Sequence, residues 1–152
     1  MNETTATDRP SDWTSDKWST PPELVDRIAE EFGTFDLDPC AESHTAKASR
    51  FYTIDDDGLT QPWHGRVFVN PPYSDIRPWC EKAREETDAG RATVVVCLLP
   101  SATDTRWFHE SVLPYAEVRF LQGRVRFIGW RGTPIPAPRT PSLLAIYRSE
   151  DE

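Results

Sequence analysis

Hydrophobic and polar positions divide this 152-residue chain into short apolar runs separated by proline, glycine and acidic turns. Leu24, Val25, Ile28, Ala29 and Phe32 recur at helical spacing. Thr20 precedes Pro21-Pro22-Glu23 and is the expected N-cap. Glu23, three residues on, completes a capping box, and Gly33 ends the helix. Phe35 to Pro39 reads as a short strand with Asp38 at its end, and Phe51 to Ile54 as a second. Asp55-Asp56-Asp57-Gly58 is a turn signal. Val67-Phe68-Val69 runs straight into Asn70-Pro71-Pro72-Tyr73, where the prolines forbid further regular structure. Ser74 or Asp75 is placed to cap a helix reaching Asp88, with Ile76, Trp79, Cys80 and Ala83 on its apolar side. Ala92 to Leu99 is the most apolar run. It is short and β-branched, which predicts a central buried strand. Asp104 is the expected cap of a helix from Thr105 to Leu113. Ala116 to Leu121 and Arg124 to Ile128 read as strands around Gln122-Gly123. Gly129 to Pro141 is too proline-rich for regular structure, and Ser142 to Tyr147 is the last strand.

Strands alternate with helices up to Leu113, and strands then follow strands. The pattern predicts an α/β fold: a mostly parallel sheet with an antiparallel C-terminal hairpin at one edge. The length suits one domain over residues 18–150, with polar residues 1–17 as a flexible leader. No apolar run approaches 18 residues and no secretory core follows Met1, so a cytoplasmic protein without a membrane partner is expected. Cys40, Cys80 and Cys97 are odd in number and widely spaced, as are His44, His64 and His109. Reduced thiols and no metal site are the expectation.

Charge changes the picture in two ways. The net charge is −8, and of 17 basic residues only Lys17, Lys47 and Lys82 are lysine. Such a composition suits a high-salt cytoplasm; full stability in low salt would remove that expectation. The charge is also uneven. Val118 to Ser149 holds Arg119, Arg124, Arg126, Arg131, Arg139 and Arg148 and no acidic residue. A basic tract on an acidic protein can meet a polyanion locally.

The Asn70-Pro71-Pro72-Tyr73 corner carries the candidate chemistry. An Asn side-chain oxygen and a neighbouring backbone carbonyl are two acceptors, able to take both hydrogens of one planar amino group. That frees the nitrogen lone pair for alkylation, and Tyr73 offers a flat face on which a base can stack. Asp38 at a strand end suits an ammonium partner. Free NH groups at the Thr20–Pro21 helix start suit a carboxylate, and Asp57 suits an adenine amino group.

In order, Trp18-Ser19-Thr20-Pro21, Leu37 to Ala41, Asp57-Gly58-Leu59, Trp63-His64-Gly65, Asn70 to Tyr73 and Gly123-Arg124-Val125-Arg126-Phe127 form a set. This set resembles the phage-type DNA N6-adenine methyltransferase family over about residues 17 to 148. The resemblance implies a Rossmann-like methyltransferase fold, S-adenosylmethionine as cofactor and double-stranded DNA as partner, in a host-cell cytoplasm. By it, Thr20 and Pro21 lie near the methionine carboxylate. Asp38, Pro39 and Ala41 lie near the sulfonium and amino group, and Asp57 near the cofactor's adenine. Asn70, Pro71, Pro72 and Tyr73 hold a flipped target adenine, and Arg124, Arg126, Arg131 and Arg139 contact DNA. Three alternatives stay open: an amino-methyltransferase acting on RNA or on a protein glutamine, an inactive nucleic-acid-binding relic, and an α/β domain in which the Asn70–Tyr73 turn is structural. The second draws on one departure, since Pro39-Cys40-Ala41-Glu42 stands where most methyltransferases carry Gly-x-Gly. The short stretch from Ala41 to Asp57 further predicts that one strand–helix unit is absent.

Overall fold

The computed structural model describes residues 13–135 and 140–150. Six strands form one sheet: β1 (Leu37–Asp38), β2 (Arg50–Phe51), β3 (Gly65–Val69), β4 (Ala92–Pro100), β5 (Glu117–Phe120) and β6 (Ser142–Arg148). Their spatial order is β2-β1-β3-β4-β6-β5. The β1–β2, β1–β3 and β3–β4 pairs are parallel, whereas β6 pairs antiparallel with both β4 and β5. Five strands therefore run one way and β6 alone opposes them. The expected mostly parallel sheet with an antiparallel C-terminal pair is what the chain forms.

Two helices and a tight turn cover the sheet. α1 (Pro22–Phe32) buries Leu24, Val25 and Ile28, and α2 (Arg77–Asp88) buries Trp79, Cys80 and Ala83. Alternate residues of β4 point to opposite faces, so the core has two layers. Val95, Cys97 and Leu99 pack with the α2 side. Val94, Val96 and Leu98 pack with the α1 side. The run predicted as a helix from Thr105 to Leu113 is shorter and wider, a π-helical turn over Phe108–Val112. Tyr147 of β6 donates to the Ser111 carbonyl at 2.6 Å and ties this turn to the sheet.

Several local expectations fail, each for a physical reason. Arg124 to Ile128 does not pair with β5. The β5 strand pairs with β6 instead, and Ile128 bridges Ser19 and Pro134. The second strand is Arg50–Phe51, because its two residues reach the β1 backbone and Ile54 stands 90% exposed. Both side-chain helix caps are missing: Pro21 is the N-cap of α1 and Ile76 that of α2, neither with a side-chain cap bond. The Asp104 cap is missing too, since the π-helical turn begins after Trp107 with no side-chain cap bond. Of the expected leader, residues 1–12 lie outside the described residues, and Ser15–Lys17 form a 3-10 turn whose Asp16 accepts a hydrogen bond from the Ser74 NH. No helix among the described residues is long and apolar enough to cross a membrane.

Candidate active site

The chain crosses from β1 outward to β2, then returns to place β3 on the other side of β1. At such a reversal the carboxyl ends of adjacent strands leave a crevice, the usual ligand position in open α/β sheets. Here β1 ends in Asp38 and β3 runs into Asn70. A cleft of about 690 Å³ opens between them. Thr20, Asp38, Pro39, Ala41, Asp57, Asn70 and Pro72 all line it, as do Asp16, Trp18, Lys47, Gly58 and Trp79. Residues drawn from five separate sequence stretches thus share one cavity.

One wall is built by backbone approach. Asp38 is 4% exposed and accepts hydrogen bonds from the Cys40 and Lys47 backbone NH groups at 3.3 and 3.0 Å. Burial pushes its carboxyl up to about 6, the two NH bonds only partly opposing this. Asp57 adopts a left-handed conformation, φ 56°, that opens the Gly58–Thr60 turn. Gly58 lies directly against Pro39, and a Cβ there would collide with the Pro39 carbonyl oxygen. A glycine from the neighbouring turn thus packs closely on the chain just after β1. Trp63, fully buried, holds that turn by donating from its indole Nε1 to the Gly58 carbonyl at 2.9 Å. Trp79, stacked on Trp63 at 6.1 Å, also borders the cleft. At Gly65, φ 75°, a Cβ would strike the Asp36 carboxylate. The Trp63-His64-Gly65 stretch is thus structural support for the cleft.

The opposite wall is built by side chains. Asn70 Nδ2 donates to the Trp18 carbonyl at 3.3 Å, which commits the amide's donor end and leaves Oδ1 as an acceptor. Pro71 and Tyr73 lie outside the main cleft. With Asn70, Ser15, Asp16, Trp18 and Phe127 they line an adjoining recess too narrow for a water molecule. The Tyr73 ring meets Phe127 edge-on at 6.1 Å and 89°. Its hydroxyl is buried, and burial, opposed only in part by the neighbouring Ser142 hydroxyl, raises its pKa well above the usual phenol range. Thr20 Oγ1 is buried without a partner at the cleft wall. Pro21 does not line the cleft; it caps α1 beside Thr20.

The arginines divide. Arg124 and Arg126 are exposed while Val125 and Phe127 between them are buried, so an extended ribbon turns its apolar side chains inward and its cations outward. Phe127 stacks with Trp18 at 5.7 Å, which seats this ribbon beside the Asn70 turn. Arg131 is exposed, with φ 53°. Arg139 lies outside the described residues. Arg119 and Arg148 sit instead in an ion-pair network with Glu31 and Glu117. Among the described residues, no cluster of His, Cys, Asp or Glu side chains is arranged to hold a metal ion.

Sequence inspection did not single out Asp16 or Lys47, nor the Trp18 carbonyl. Asp16 and Trp18 act across 58 and 52 residues, so no local signal marks them.

A mostly parallel sheet with one reversed strand and a crevice at the switch point defines a Rossmann-like α/β fold. The family profile described as DNA N-6-adenine-methyltransferase (Dam) matches residues 7–150. A DNA N-6-adenine-methyltransferase of Haemophilus phage HP1 is 34% identical over 137 residues, covering 87% of this chain and 78% of that protein. One from Escherichia phage T1 is 30% identical, covering 90% of this chain and 64% of its own length. The chain belongs to the DNA N-6-adenine-methyltransferase (Dam) family. A crystal structure of a candidate RNA methyltransferase from Pyrococcus horikoshii shares the fold, with TM-score 0.57 and 13% identity over 93% of this chain and 90% of that one.

Proposed function

We propose that this protein transfers a methyl group from S-adenosylmethionine to N6 of an adenine flipped out of duplex DNA. The observation that carries this reading is one cleft joining Asn70 to Asp38 and Asp57 at the carboxyl ends of β1 and β3. The cofactor fits the residues present. Asp38 is a desolvated carboxylate suited to an ammonium. Thr20 offers an unpartnered buried hydroxyl near the start of α1, suited to a carboxylate. Asp57 lines the same cleft as an acceptor for an adenine amino group, and Gly58 beside it lets that turn close on Pro39. When bound, S-adenosylmethionine supplies an electrophilic methyl group.

The chain's own residues do the rest. An adenine inside a duplex is out of reach, so it must leave the stack at a cost of a few kcal/mol. Asn70 Oδ1 and the Pro71 carbonyl accept the two N6 hydrogens, which orients the nitrogen lone pair and raises its availability as the nitrogen turns tetrahedral. Pro72 keeps the corner rigid. Tyr73 stacks on the base once the recess between Trp18, Tyr73 and Phe127 opens. Arg124, Arg126, Arg131 and Arg139 contact phosphates, and Arg can read guanine in the major groove. The excess proton on N6 leaves to solvent, so no strong general base is needed.

Asn70→Ala is expected to lower methyl transfer about 100- to 1,000-fold, as loss of a preorganised transition-state contact does. S-Adenosylhomocysteine binding, measured by calorimetry, should persist. An active variant would remove Asn70 from the chemistry.

A further inference from the structure

The segment just before α1 makes an arrangement that neither helix-capping rules nor core packing require. Ser74 lies two residues before Ile76, the N-cap of α2, which makes no side-chain cap bond. Ser74 gives both of its donors, the backbone NH at 3.1 Å and the hydroxyl at 2.5 Å, to the carboxylate of Asp16, 58 residues earlier. Thr14 Oγ1 accepts from the Asp16 NH at 3.3 Å, starting the Ser15–Lys17 turn that presents this carboxylate. Two residues on, the Trp18 carbonyl takes the Asn70 amide donor. One residue further, Ser19 and Ile128 exchange backbone hydrogen bonds of 2.8 and 2.9 Å. Residues 14–19 therefore grip the Asn70–Tyr73 corner at both ends, Trp18 at Asn70 and Asp16 at Ser74. They also fasten it to the ribbon that carries Arg124 and Arg126.

Three facts separate this from a generic surface contact. Asp16 makes no ion pair among the described residues, so its charge is spent on the Ser74 donors. A bond from a neutral donor to a carboxylate is about twice as strong as one between neutral groups, which suits a fixed geometry. Asp16 also borders both the main cleft and the recess beneath Asn70, Pro71 and Tyr73, at the junction where cofactor and target must meet.

We propose that residues 14–19 form a positioning strap that sets the amine-accepting oxygens, with Asp16 as its positioning residue; this rests on methyl transfer taking place at the Asn70 corner. Asp16 touches neither reacting atom. It acts through Ser74 on the direction of the Pro71 carbonyl and, with Trp18, on the rotation of the Asn70 amide. Misplacing acceptors by about an ångström is enough to slow an aligned transfer about 100-fold.

The test compares Asp16→Ala, Asp16→Asn, Ser74→Ala and the Asp16→Ala/Ser74→Ala pair. It measures single-turnover methyl transfer to DNA, S-adenosylhomocysteine affinity by calorimetry and the thermal midpoint. Asp16→Ala and Ser74→Ala are each expected to slow transfer about 10- to 100-fold, with affinity within about threefold and little change in midpoint. The double variant should be no slower than Asp16→Ala, which already removes the hydroxyl bond that Ser74→Ala removes. Asp16→Asn, which keeps an acceptor oxygen, should recover part of the rate. Unchanged rates, multiplicative losses, or a loss that only tracks the midpoint would overturn the strap while leaving the methyltransferase reading intact. Wild-type protein that neither binds S-adenosylhomocysteine nor methylates DNA would overturn both.

Discussion

The two walls of the cleft are made in different ways. The wall of Asp38, Pro39 and Gly58 is backbone against backbone, with a glycine fitted under a carbonyl and an indole holding the turn from below. The wall of Asn70 and Ser74 is held by side-chain bonds reaching from residues more than 50 positions away. The first has little room to move, because close packing resists a change of even one methyl group. The second depends on a few hydrogen bonds near the surface, which can be removed one at a time without disturbing the core. One wall is thus set by packing and the other by separable bonds, and substitutions tell them apart.

Changes on the fixed side should show the largest effects on binding. Asp38→Asn removes the charge facing the cleft, and S-adenosylhomocysteine affinity should fall about 10- to 100-fold, as loss of a charge-assisted hydrogen bond implies. A similar loss for an analogue lacking the amino group would break the assignment. Acid makes the same point without mutation. Asp38 titrates near 6, so affinity should weaken towards tenfold per unit as the pH falls below that value. Folding should respond with opposite sign. This carboxyl is raised above its ordinary 3.8, so its contribution to stability is fully present below about 4 and lost as the pH rises through 6. Calorimetric binding and chemical denaturation across pH 4 to 8 would separate the two trends.

Gly58→Ala should destabilise the protein by about 1–3 kcal/mol through the Pro39 clash and weaken ligand binding with it. An unaltered thermal midpoint would show that the fixed wall yields more than its packing suggests. The smallest effects belong to the arginines. Arg126→Ala should reduce the salt dependence of DNA binding by about one unit of slope. Arg119→Ala should leave it unchanged, because that side chain already serves Glu31 and Glu117. Equal slopes for both would remove Arg126 from the DNA surface.

The sequence revealed the Asn70 corner more clearly than what holds it. Val67 to Tyr73 announces itself, because an apolar strand ending on two prolines has few conformations open to it. The buried β4 run and the apolar side of α1 were equally plain. What failed were the two side-chain helix caps beside the cleft. Thr20 and Ser74 obey capping preferences by residue type, yet one hydroxyl faces the cleft wall unpartnered and the other serves Asp16. Local rules are expected to break where a site claims the same atoms. The six-arginine tract misled in part, since acidic partners for Arg119 and Arg148 come from α1 and β5, and composition along the chain does not show which charges fold together. The hairpin around Gln122-Gly123 failed because β5 found a longer antiparallel partner in β6, leaving 124–128 to lie across Ser19.

The stacked indoles beneath the cleft give the molecule a built-in optical reporter. Trp79 touches the cavity and its neighbour Trp63 does not, while Trp18 borders the same cavity from the strap. Filling the space would change the surroundings of two of the chain's six tryptophans and leave a third shielded, so ultraviolet emission should follow occupancy without any dye.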